Sequence, residues 1–175
     1  EKYGAGLKNA DYAPVCEIMG RSRIGPHIFN CSAPDTGNME ILAEFGTPEQ
    51  KRQWLEPCLE GKMRSCFSMT EPETAGSDPT QLRTRAVREG DYYAINGHKW
   101  FTSGAMHSRF AIAMVVTDPD AEPHRRASQI IVPIDTPGFH IVRPVPVMGH
   151  TGGGGHCEII YKDCRVPATN MLGKE

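Results

Sequence analysis

Residues 92–103 read YYAINGHKWFTS, which places two short runs rich in strand-forming residues on either side of Asn96-Gly97. An Asn-Gly pair readily adopts the two positive φ angles that a two-residue type I′ turn requires. The pattern therefore predicts a β-hairpin with strands at 92–95 and 99–103. We expect a β-rich domain to be built around this hairpin.

Short runs of similar character lie on both sides of the hairpin. They are separated by Gly and Pro clusters, and Thr136-Pro137-Gly138 is predicted to form another tight connection. Many short strands at nearly regular spacing favour a sandwich or barrel with antiparallel pairing. The other predicted strands are 65–69, 81–88, 110–116, 129–134, 139–143 and 158–161.

The first part of the chain carries helical signals instead. Asp11 is a candidate N-cap, Pro14 falls in the first turn, where a missing N–H is tolerated, and Gly20 is a candidate stop. A second helix is predicted over 36–45, closed by Gly46. The first helix has an apolar stripe at helical spacing, formed by Tyr12, Val15, Cys16 and Met19.

A third helix has the clearest start signals. Thr47 is the predicted N-cap, Pro48 takes the first helical position, and Gln50 completes a capping box. The apolar stripe of this helix consists of Trp54, Leu55, Cys58 and Leu59.

These signals together predict an α+β fold. A short helical segment, residues 1–61, is followed by an antiparallel β-barrel, residues 62–175, with the boundary near Gly61. A length of 175 residues fits one ordinary domain or one domain with part of another.

Composition excludes several functional classes. The 19 basic and 21 acidic side chains give a net charge of −2, which argues against a nucleic-acid-binding surface. The longest apolar run, 110–116, is far shorter than the roughly 20 residues of a membrane-spanning helix. No apolar signal segment opens the chain, and the six cysteines form no CxxC pair. We therefore expect reduced, mostly buried cysteines in a soluble intracellular protein.

Three motifs carry a family resemblance. They are MTEPETAGSD at 69–78, INGHKWFTSG at 95–104 and DCRVPATNMLG at 163–173. In this order and spacing they resemble the acyl-CoA dehydrogenases, most closely the branch whose vertebrate members can carry a kinase-like domain. The similarity extends to APDTGNMEILAEFGTPEQKRQWLEPCLEG at 33–61. The resemblance implies that the chain holds the end of an N-terminal helical domain and a middle β-domain, without the C-terminal helical bundle.

The implied function is FAD-dependent α,β-dehydrogenation of an acyl-CoA thioester. In that family a carboxylate removes the α proton while the β hydrogen passes as hydride to flavin N5. The carboxylate belongs to the C-terminal part, so no catalytic residue is expected in this chain, which should be inactive alone and bind FAD weakly. Electron-transfer flavoprotein is the implied electron acceptor, and the parent protein is expected to be a homodimer or homotetramer. The implied compartment is cytoplasmic in bacteria and mitochondrial or peroxisomal in eukaryotes.

The resemblance also assigns cofactor contacts. Thr70 and backbone N–H groups just before it would face the flavin N1 and C2 carbonyl, where negative charge develops. Thr102 would bind near N5, and Trp100 would pack on the isoalloxazine ring. Gly76 and Ser77 would approach the phosphates and the CoA moiety. The implied cofactor contacts are Phe67, Met69, Thr70, Gly76, Ser77, Trp100, Thr102 and Ser103, and Ser77 is also the implied substrate contact.

Each of these residues taken singly has a plainer interpretation. Trp100 alone indicates a core aromatic residue, and Thr70 and Thr102 alone are ordinary strand threonines. Residues 76–78 alone form a common turn sequence. Glu71 lies next to the proposed flavin contacts but belongs to the structural Thr-Glu-Pro turn of the family, so we do not assign it as the base.

Residues 148–157 read MGHTGGGGHC and fit no established ligand motif. A P-loop would need a Lys followed by Ser or Thr and then a helix, and neither follows. His150, His156 and Cys157 lack the fourth ligand of a structural zinc site, so no metal is expected. By position the stretch corresponds to a family loop near the acyl-CoA channel, and a simple surface loop is the alternative.

Two other functions remain open at the level of sequence. An acyl-CoA oxidase or a flavin monooxygenase has the same fold as an acyl-CoA dehydrogenase and would carry the same flavin motifs. A non-enzymatic β-barrel binding module is the alternative outside the flavoenzymes.

Overall fold

A computed structural model of the chain describes residues 3–150 and 155–173. The helices are α1 Asn9–Met19, α2 Gly25–Ile28, α3 Asp35–Phe45, α4 Pro48–Gln50 and α5 Glu56–Leu59, with a π-helical turn Lys51–Leu55 between the last two. The strands are β1 Ser65–Ser68, β2 Arg85–Glu89, β3 Tyr92–Ser103, β4 Phe110–Val116, β5 Ala127–Pro133, β6 Phe139–Val145 and β7 His156–Pro167. Short 3₁₀ turns lie at Pro79–Gln81, Ala105–His107, Pro123–Arg125 and Ala168–Asn170.

The strands form one curled sheet that resembles a half-barrel. Its order is β1-β4-β2-β3-β7-β6, and β5 pairs with β4. The predicted architecture, a helical segment followed by a barrel-like β-domain, is confirmed. The pairing is mixed rather than wholly antiparallel, because β1 runs parallel to β4. Parallel neighbours need a long crossover connection, and the chain between β1 and β4 provides one that contains β2 and β3.

The predicted turn at Asn96-Gly97 is wrong. Both residues lie inside β3, which pairs with β7 on either side of them, at Ile95 with Cys164 and at Lys99 with Ile159. The register shifts locally, and the Asn96 side chain accepts a hydrogen bond from the backbone N–H of Asp163 at 2.8 Å. A long partner strand thus supplies ladder bonds to both halves, so the chain continues instead of reversing.

The tight hairpin of this region lies earlier in the chain. Glu89 pairs with Tyr92, so that Gly90 and Asp91 form the two-residue connection between β2 and β3. Gly90 has a φ of 62°, which glycine adopts without steric cost. Gly97 serves close packing instead, since a Cβ there would overlap the Thr84 side chain.

Two apolar layers lie on opposite faces of the sheet. Because side chains alternate along a strand, β4 contributes Phe110 and Ile112 to the face covered by the helices and Ala111, Ala113 and Val115 to the interior of the curl. Both faces of β4 are therefore buried, which explains its continuous apolar sequence. The helices cover one face of the sheet, and the sheet encloses the other.

The helix predictions are largely confirmed. Thr47 and Gln50 form the predicted capping box, and Gly46 and Gly61 follow the ends of their helices. The turn before Pro57 widens, because proline lacks the N–H for an α-helical hydrogen bond and its ring clashes with the carbonyl four residues back.

The first helix differs most from its prediction. It begins at Asn9, after Lys8, so Asp11 lies in the first turn and Pro14 lies inside the helix. Of the predicted stripe, only Met19 is buried within the described part of the chain. The stripe therefore gains little burial against the residues described.

A buried polar cluster joins the helices to β1. The Asp35 carboxylate accepts hydrogen bonds from the Ser65 backbone N–H and hydroxyl, both at 2.7 Å, and contacts Arg64 at 3.1 Å. The Asn38 side chain donates to the Ser65 hydroxyl at 2.9 Å. The Arg64 guanidinium also donates to Asn30 at 2.9 Å. The start of α3 is thereby fixed at the edge of the sheet.

All six cysteines are free, and four of them, Cys58, Cys66, Cys157 and Cys164, are buried. No helix among the described residues is long and apolar enough to cross a membrane.

Candidate functional site

Two of the sequence motifs meet at one surface. The Trp100 backbone N–H donates to the Thr70 carbonyl at 2.9 Å, which joins β3 to the segment after β1. The chain then folds back over Thr70, since a Cβ on Gly76 would lie 3.0 Å from the Thr70 methyl group. We call Met69, Thr70, Gly76 and Trp100 the Thr70–Trp100 patch.

A bulge in β3 shapes this patch. The register with β7 shifts between Lys99 and Thr102, and Phe101 adopts a φ of 50° in the left-handed region. Such a conformation costs a non-glycine residue on the order of 1–3 kcal/mol and is concentrated at functional sites. The Trp100 and Phe101 rings lie 4.7 Å apart at 52°, and Phe101 is 39% exposed. The bulge therefore presents an aromatic pair beside Thr70.

Thr70 offers two hydrogen-bond donors at the patch. Neither its backbone N–H nor its hydroxyl has a partner among the residues that the structure describes. The side chain is half-buried, between Gly76 and the start of the polar segment. An acceptor on a bound group would satisfy these donors, which supports a site for a ligand with carbonyl or ring-nitrogen acceptors.

A buried ion pair fixes the patch from below. Lys99 and Glu71 are 0% and 2% exposed, and the Lys99 Nζ lies 2.9 Å from Glu71 Oε1. Lys99 also donates to the Met69 carbonyl at 2.7 Å. Glu71 accepts backbone N–H groups of Arg83 at 2.7 Å and Thr84 at 2.8 Å. One pair therefore ties β3, the end of β1 and the approach to β2 together.

The pair is charged at neutral pH. Burial alone would raise the pKa of Glu71, but the hydrogen bonds from Thr84 and the charge of Lys99 hold that pKa below its ordinary value of 4.5. Burial lowers the pKa of Lys99 to about 8, which still leaves the ammonium protonated at pH 7. Glu71 is therefore a structural carboxylate.

Sequence reasoning missed Lys99. The signal was present, because Lys99 is an even number of residues from the inward-facing Tyr93 and Ile95 and so lies on the same face of the strand. A lysine at an inward position of a strand indicates a buried anionic partner, since an unpaired buried ammonium is costly.

Not every predicted site residue lies on the exposed patch. Thr102 is fully buried and its hydroxyl donates to the Ser68 hydroxyl at 3.4 Å. The Phe67 side chain packs toward the helices. Ser77 is exposed in a turn where the Asp78 N–H donates to the Ala75 carbonyl at 3.0 Å. The structure thus brings together Met69, Thr70, Gly76 and Trp100 and separates the Phe67 side chain from them.

Ser103 faces a different space, a cleft of about 390 Å³ between the helices and the sheet. Its hydroxyl lies 2.7 Å from His156 Nδ1, and both residues line the cleft. Asp35 and Arg64 of the helix–sheet cluster also line this cleft. The cleft lies at the end of β3 that follows the bulge, and polar and apolar groups line it about equally.

A charged bridge lies at the outer side of the segment. The His98 ring contacts Glu73 Oε1 through Nδ1 at 2.8 Å and Glu158 Oε1 through Nε2 at 2.9 Å. Glu158 also pairs with Arg143 Nε at 2.7 Å. Burial alone would lower the pKa of His98, but the two carboxylates outweigh burial and raise it above its ordinary value. No periodic pattern in the sequence indicated this bridge.

Among the described residues, no group of three His, Cys, Asp or Glu side chains could hold a metal ion. The centre of the glycine-rich stretch, residues 151–154, lies outside the described residues. The predictions for that loop therefore stay predictions.

Comparison with known protein families identifies the family of this chain. The model "Acyl-CoA dehydrogenase, middle domain" matches residues 66–164, and "Acyl-CoA dehydrogenase, N-terminal domain" matches residues 1–62. The chain belongs to the acyl-CoA dehydrogenase family. The predicted family resemblance is confirmed.

Relatives within the family are similar over nearly the whole chain. "Probable acyl-CoA dehydrogenase FadE2" of Mycobacterium tuberculosis is 55% identical over 98% of this chain and 43% of its own length. "Acyl-CoA dehydrogenase family member 10" of Mus musculus is 51% identical over 98% of this chain and 16% of its own length. The chain thus spans less than half the length of these relatives.

Solved structures show the same fold. A protein from Mycobacterium abscessus superposes with a TM-score of 0.94 and 46% identity over 98% of this chain and 43% of that chain. A glutaryl-CoA dehydrogenase from Mycobacterium smegmatis in complex with FADH2 superposes with a TM-score of 0.68 and 29% identity, over 78% of this chain and 33% of that chain.

Proposed function

We propose that the protein containing this chain is an FAD-dependent dehydrogenase that forms a double bond between the α and β carbons of an acyl-CoA thioester. The observation that carries the proposal is the pair of unpartnered Thr70 donors beside the Trp100 ring in a member of this family. A relative of the same fold is described in complex with FADH2, which supports the same cofactor here. When bound, FAD supplies the acceptor for the hydride that leaves the β carbon.

The patch would hold the flavin ring by two kinds of contact. Thr70 would donate from its N–H and hydroxyl to ring acceptors, where fixed donors stabilise negative charge as it develops. Trp100 would cover the ring with a flat apolar surface. Thr102 would reach the cofactor by exchanging its long hydrogen bond to Ser68, which at 3.4 Å is weak.

The polar segment would contact the more distant part of the ligands. Gly76 allows the backbone to lie against Thr70, and the exposed Ser77 presents a hydroxyl to the phosphates or to CoA. Backbone groups of Phe67 and Met69 would add contacts along the edge of β1. Ser103 would contact the cofactor from the side of the cleft that it lines.

The base that removes the α proton is proposed to lie outside these 175 residues. The carboxylates nearest the patch are already bound: Glu71 by Lys99, Glu73 by His98, and Asp78 by Thr80. We expect the chain alone to show no acyl-CoA-dependent dye reduction, whereas the parent protein with FAD should turn over. Turnover by the chain alone would contradict this assignment.

Replacing Trp100 tests the flavin contact. Trp100→Ala should weaken FAD binding about tenfold, because the ring loses its aromatic cover. Flavin fluorescence titration measures the affinity. Tyr92→Ala is the matched control, since Tyr92 is an exposed aromatic residue at the other end of the same strand. Equal losses in the two variants would show that Trp100 does not contact the flavin.

The parent protein with FAD also distinguishes a dehydrogenase from an oxidase, a monooxygenase or a binding module. Slow reaction of the reduced parent protein with O₂ and rapid reaction with electron-transfer flavoprotein would support a dehydrogenase. Rapid reaction with O₂ would indicate an oxidase or monooxygenase, and a protein that stays colourless with FAD would indicate a binding module. We also propose that the parent protein binds an acyl-CoA substrate and forms a homo-oligomer, and that this chain divides into domains at 1–61 and 62–175.

A further inference from the structure

The His98 ring lies between two carboxylates, and this geometry fixes its protonation state. A carboxylate oxygen only accepts hydrogen bonds, and each ring nitrogen lies 2.8–2.9 Å from one such oxygen. A neutral imidazole has one N–H, so one of the two contacts would place lone pairs against each other. Both contacts are satisfied only by the imidazolium.

The two carboxylates belong to different parts of the molecule. Glu73 lies on the polar segment 71–78, whereas Glu158 lies on β7 and is paired with Arg143 of β6. His98 itself lies on β3, two residues before Trp100. The bridge therefore connects the segment to three neighbouring strands of the sheet.

The bridge holds the middle of the segment to the sheet. Lys99 anchors its beginning at Glu71, and Asp78 closes its end by accepting hydrogen bonds from Thr80. Within the described chain, residues 72–75 make no other side-chain hydrogen bond to the sheet. The position of Gly76 over Thr70 consequently depends on the contact between Glu73 and His98.

We propose that His98 is a positioning residue: as an imidazolium it holds the segment 71–78 over Thr70 and thereby sets the affinity for the nucleotide ligand. The part of this inference that concerns the ligand rests on the proposed function, in which the segment contacts FAD and acyl-CoA. The part that concerns the segment rests on the contacts alone.

The sign of the pH dependence follows from the charges around His98. The groups that face the ring are Glu73 of the segment and Glu158 of β7, with Arg143 of β6 behind Glu158. Since the pKa of His98 is raised above its ordinary value of 6.5, the bridge is fully formed below that value. It is lost as the pH rises through the raised pKa. We therefore expect the segment to loosen on the alkaline side.

The experiment compares His98→Gln, Glu73→Gln and the unmodified parent protein from about pH 5 to about pH 9. Amide hydrogen exchange of peptides covering 71–78, corrected for the intrinsic pH effect, reports the segment, and flavin fluorescence reports the affinity for FAD. NMR titration of the His98 ring reports its pKa. His140→Gln is the control, because His140 is exposed on β6 and has no polar side-chain partner among the described residues.

We expect protection of the segment and FAD affinity in the parent to fall together by about threefold as His98 loses its proton. In both variants, protection of the segment and FAD affinity should stay at the low level that the parent reaches at alkaline pH, and neither should change as His98 would titrate. Glu73→Gln should also lower the pKa of His98. A step that persists in His98→Gln, or protection that is unchanged in both variants, overturns the proposal. If FAD binds at no pH, the proposed function fails, and the exchange data alone decide whether His98 positions the segment.

Discussion

Lys99→Met should destabilise the protein by about 3–5 kcal/mol, because it leaves the buried Glu71 carboxylate without its cation. Glu71 is 2% exposed and, among the described residues, would keep the backbone N–H groups of Arg83 and Thr84 as hydrogen-bond donors. Methionine retains most of the side-chain volume, so the loss reports the charge rather than a cavity. Denaturant unfolding followed by far-UV circular dichroism measures the change.

Two comparisons make this result specific. Lys162→Met, on an exposed position of β7, should change stability by no more than about 0.5 kcal/mol. The deficit of Lys99→Met should shrink on acidification, since a protonated Glu71 no longer needs a cation. In the unmodified protein the contribution of Glu71 is present above pH 4.5 and is lost as the pH falls through its lowered pKa. A deficit that does not depend on pH would refute the role of the charge.

The Lys99→Met substitution should also disturb the candidate site. Lys99 donates to the Met69 carbonyl, and Met69 precedes Thr70 at the patch. Without that bond, the end of β1 would be free to move relative to the bulge at Phe101. We therefore expect FAD affinity to fall in Lys99→Met even under conditions where the protein remains folded.

Asp35→Ala should also destabilise the protein by about 3–5 kcal/mol, which is the second large effect that we expect. The substitution removes the acceptor for two hydrogen bonds from Ser65 and the counter-ion of Arg64 at a junction where Asp35 is 5% exposed. Buried donors without partners cost more than the bond itself contributes, because they have lost water as well. Denaturant unfolding again measures the change.

Graded variants separate the parts of this junction. Asp35→Asn keeps one acceptor and should cost about half as much, since hydrogen bonds to a charged group are stronger than neutral ones. Asp118→Ala, in an exposed loop, should be nearly neutral. If Asp35→Ala and Asp118→Ala had equal effects, the Asp35 contacts would contribute nothing measurable to holding the helices against the sheet.

The two buried carboxylates, Asp35 and Glu71, stabilise different parts of the site. Asp35 fixes the helices against the start of β1, and Glu71 fixes the segment that follows β1. The cleft lined by Ser103 and His156 lies beside the first junction, and the Thr70–Trp100 patch lies above the second. Loss of Asp35 should therefore affect ligand contacts in the cleft more, and loss of Glu71 should affect ligand contacts at the Thr70–Trp100 patch more.

Local signals predicted elements well where the partners are close in sequence. The capping box between Thr47 and Gln50 spans three residues, so the sequence contains everything that forms it. The Asn96-Gly97 turn failed for the opposite reason. Its local preference is real, but β7 offers hydrogen bonds to both halves of β3, and those bonds outweigh the turn.

The candidate site was predictable in its members but not in its construction. The family resemblance of the motifs indicated Thr70, Gly76 and Trp100, which the structure places close together. The bridge at His98 and the ion pair at Lys99 join residues that are about 25 to 60 positions apart. Without knowledge of which strands pair, no spacing rule connects them.

The amino-acid sequence by itself determined the family, the helical and β regions, the capped helix and the residues that contribute to the patch. These features depend on side-chain chemistry within a few residues or on motifs kept in order. Only the tertiary structure decided that β1 runs parallel to β4, that β3 continues through Asn96-Gly97 with a bulge at Phe101, and that Thr102 is buried. Those outcomes depend on competition among distant partners for the same backbone and side-chain groups, and the free energy of that competition is set only when the chain is folded.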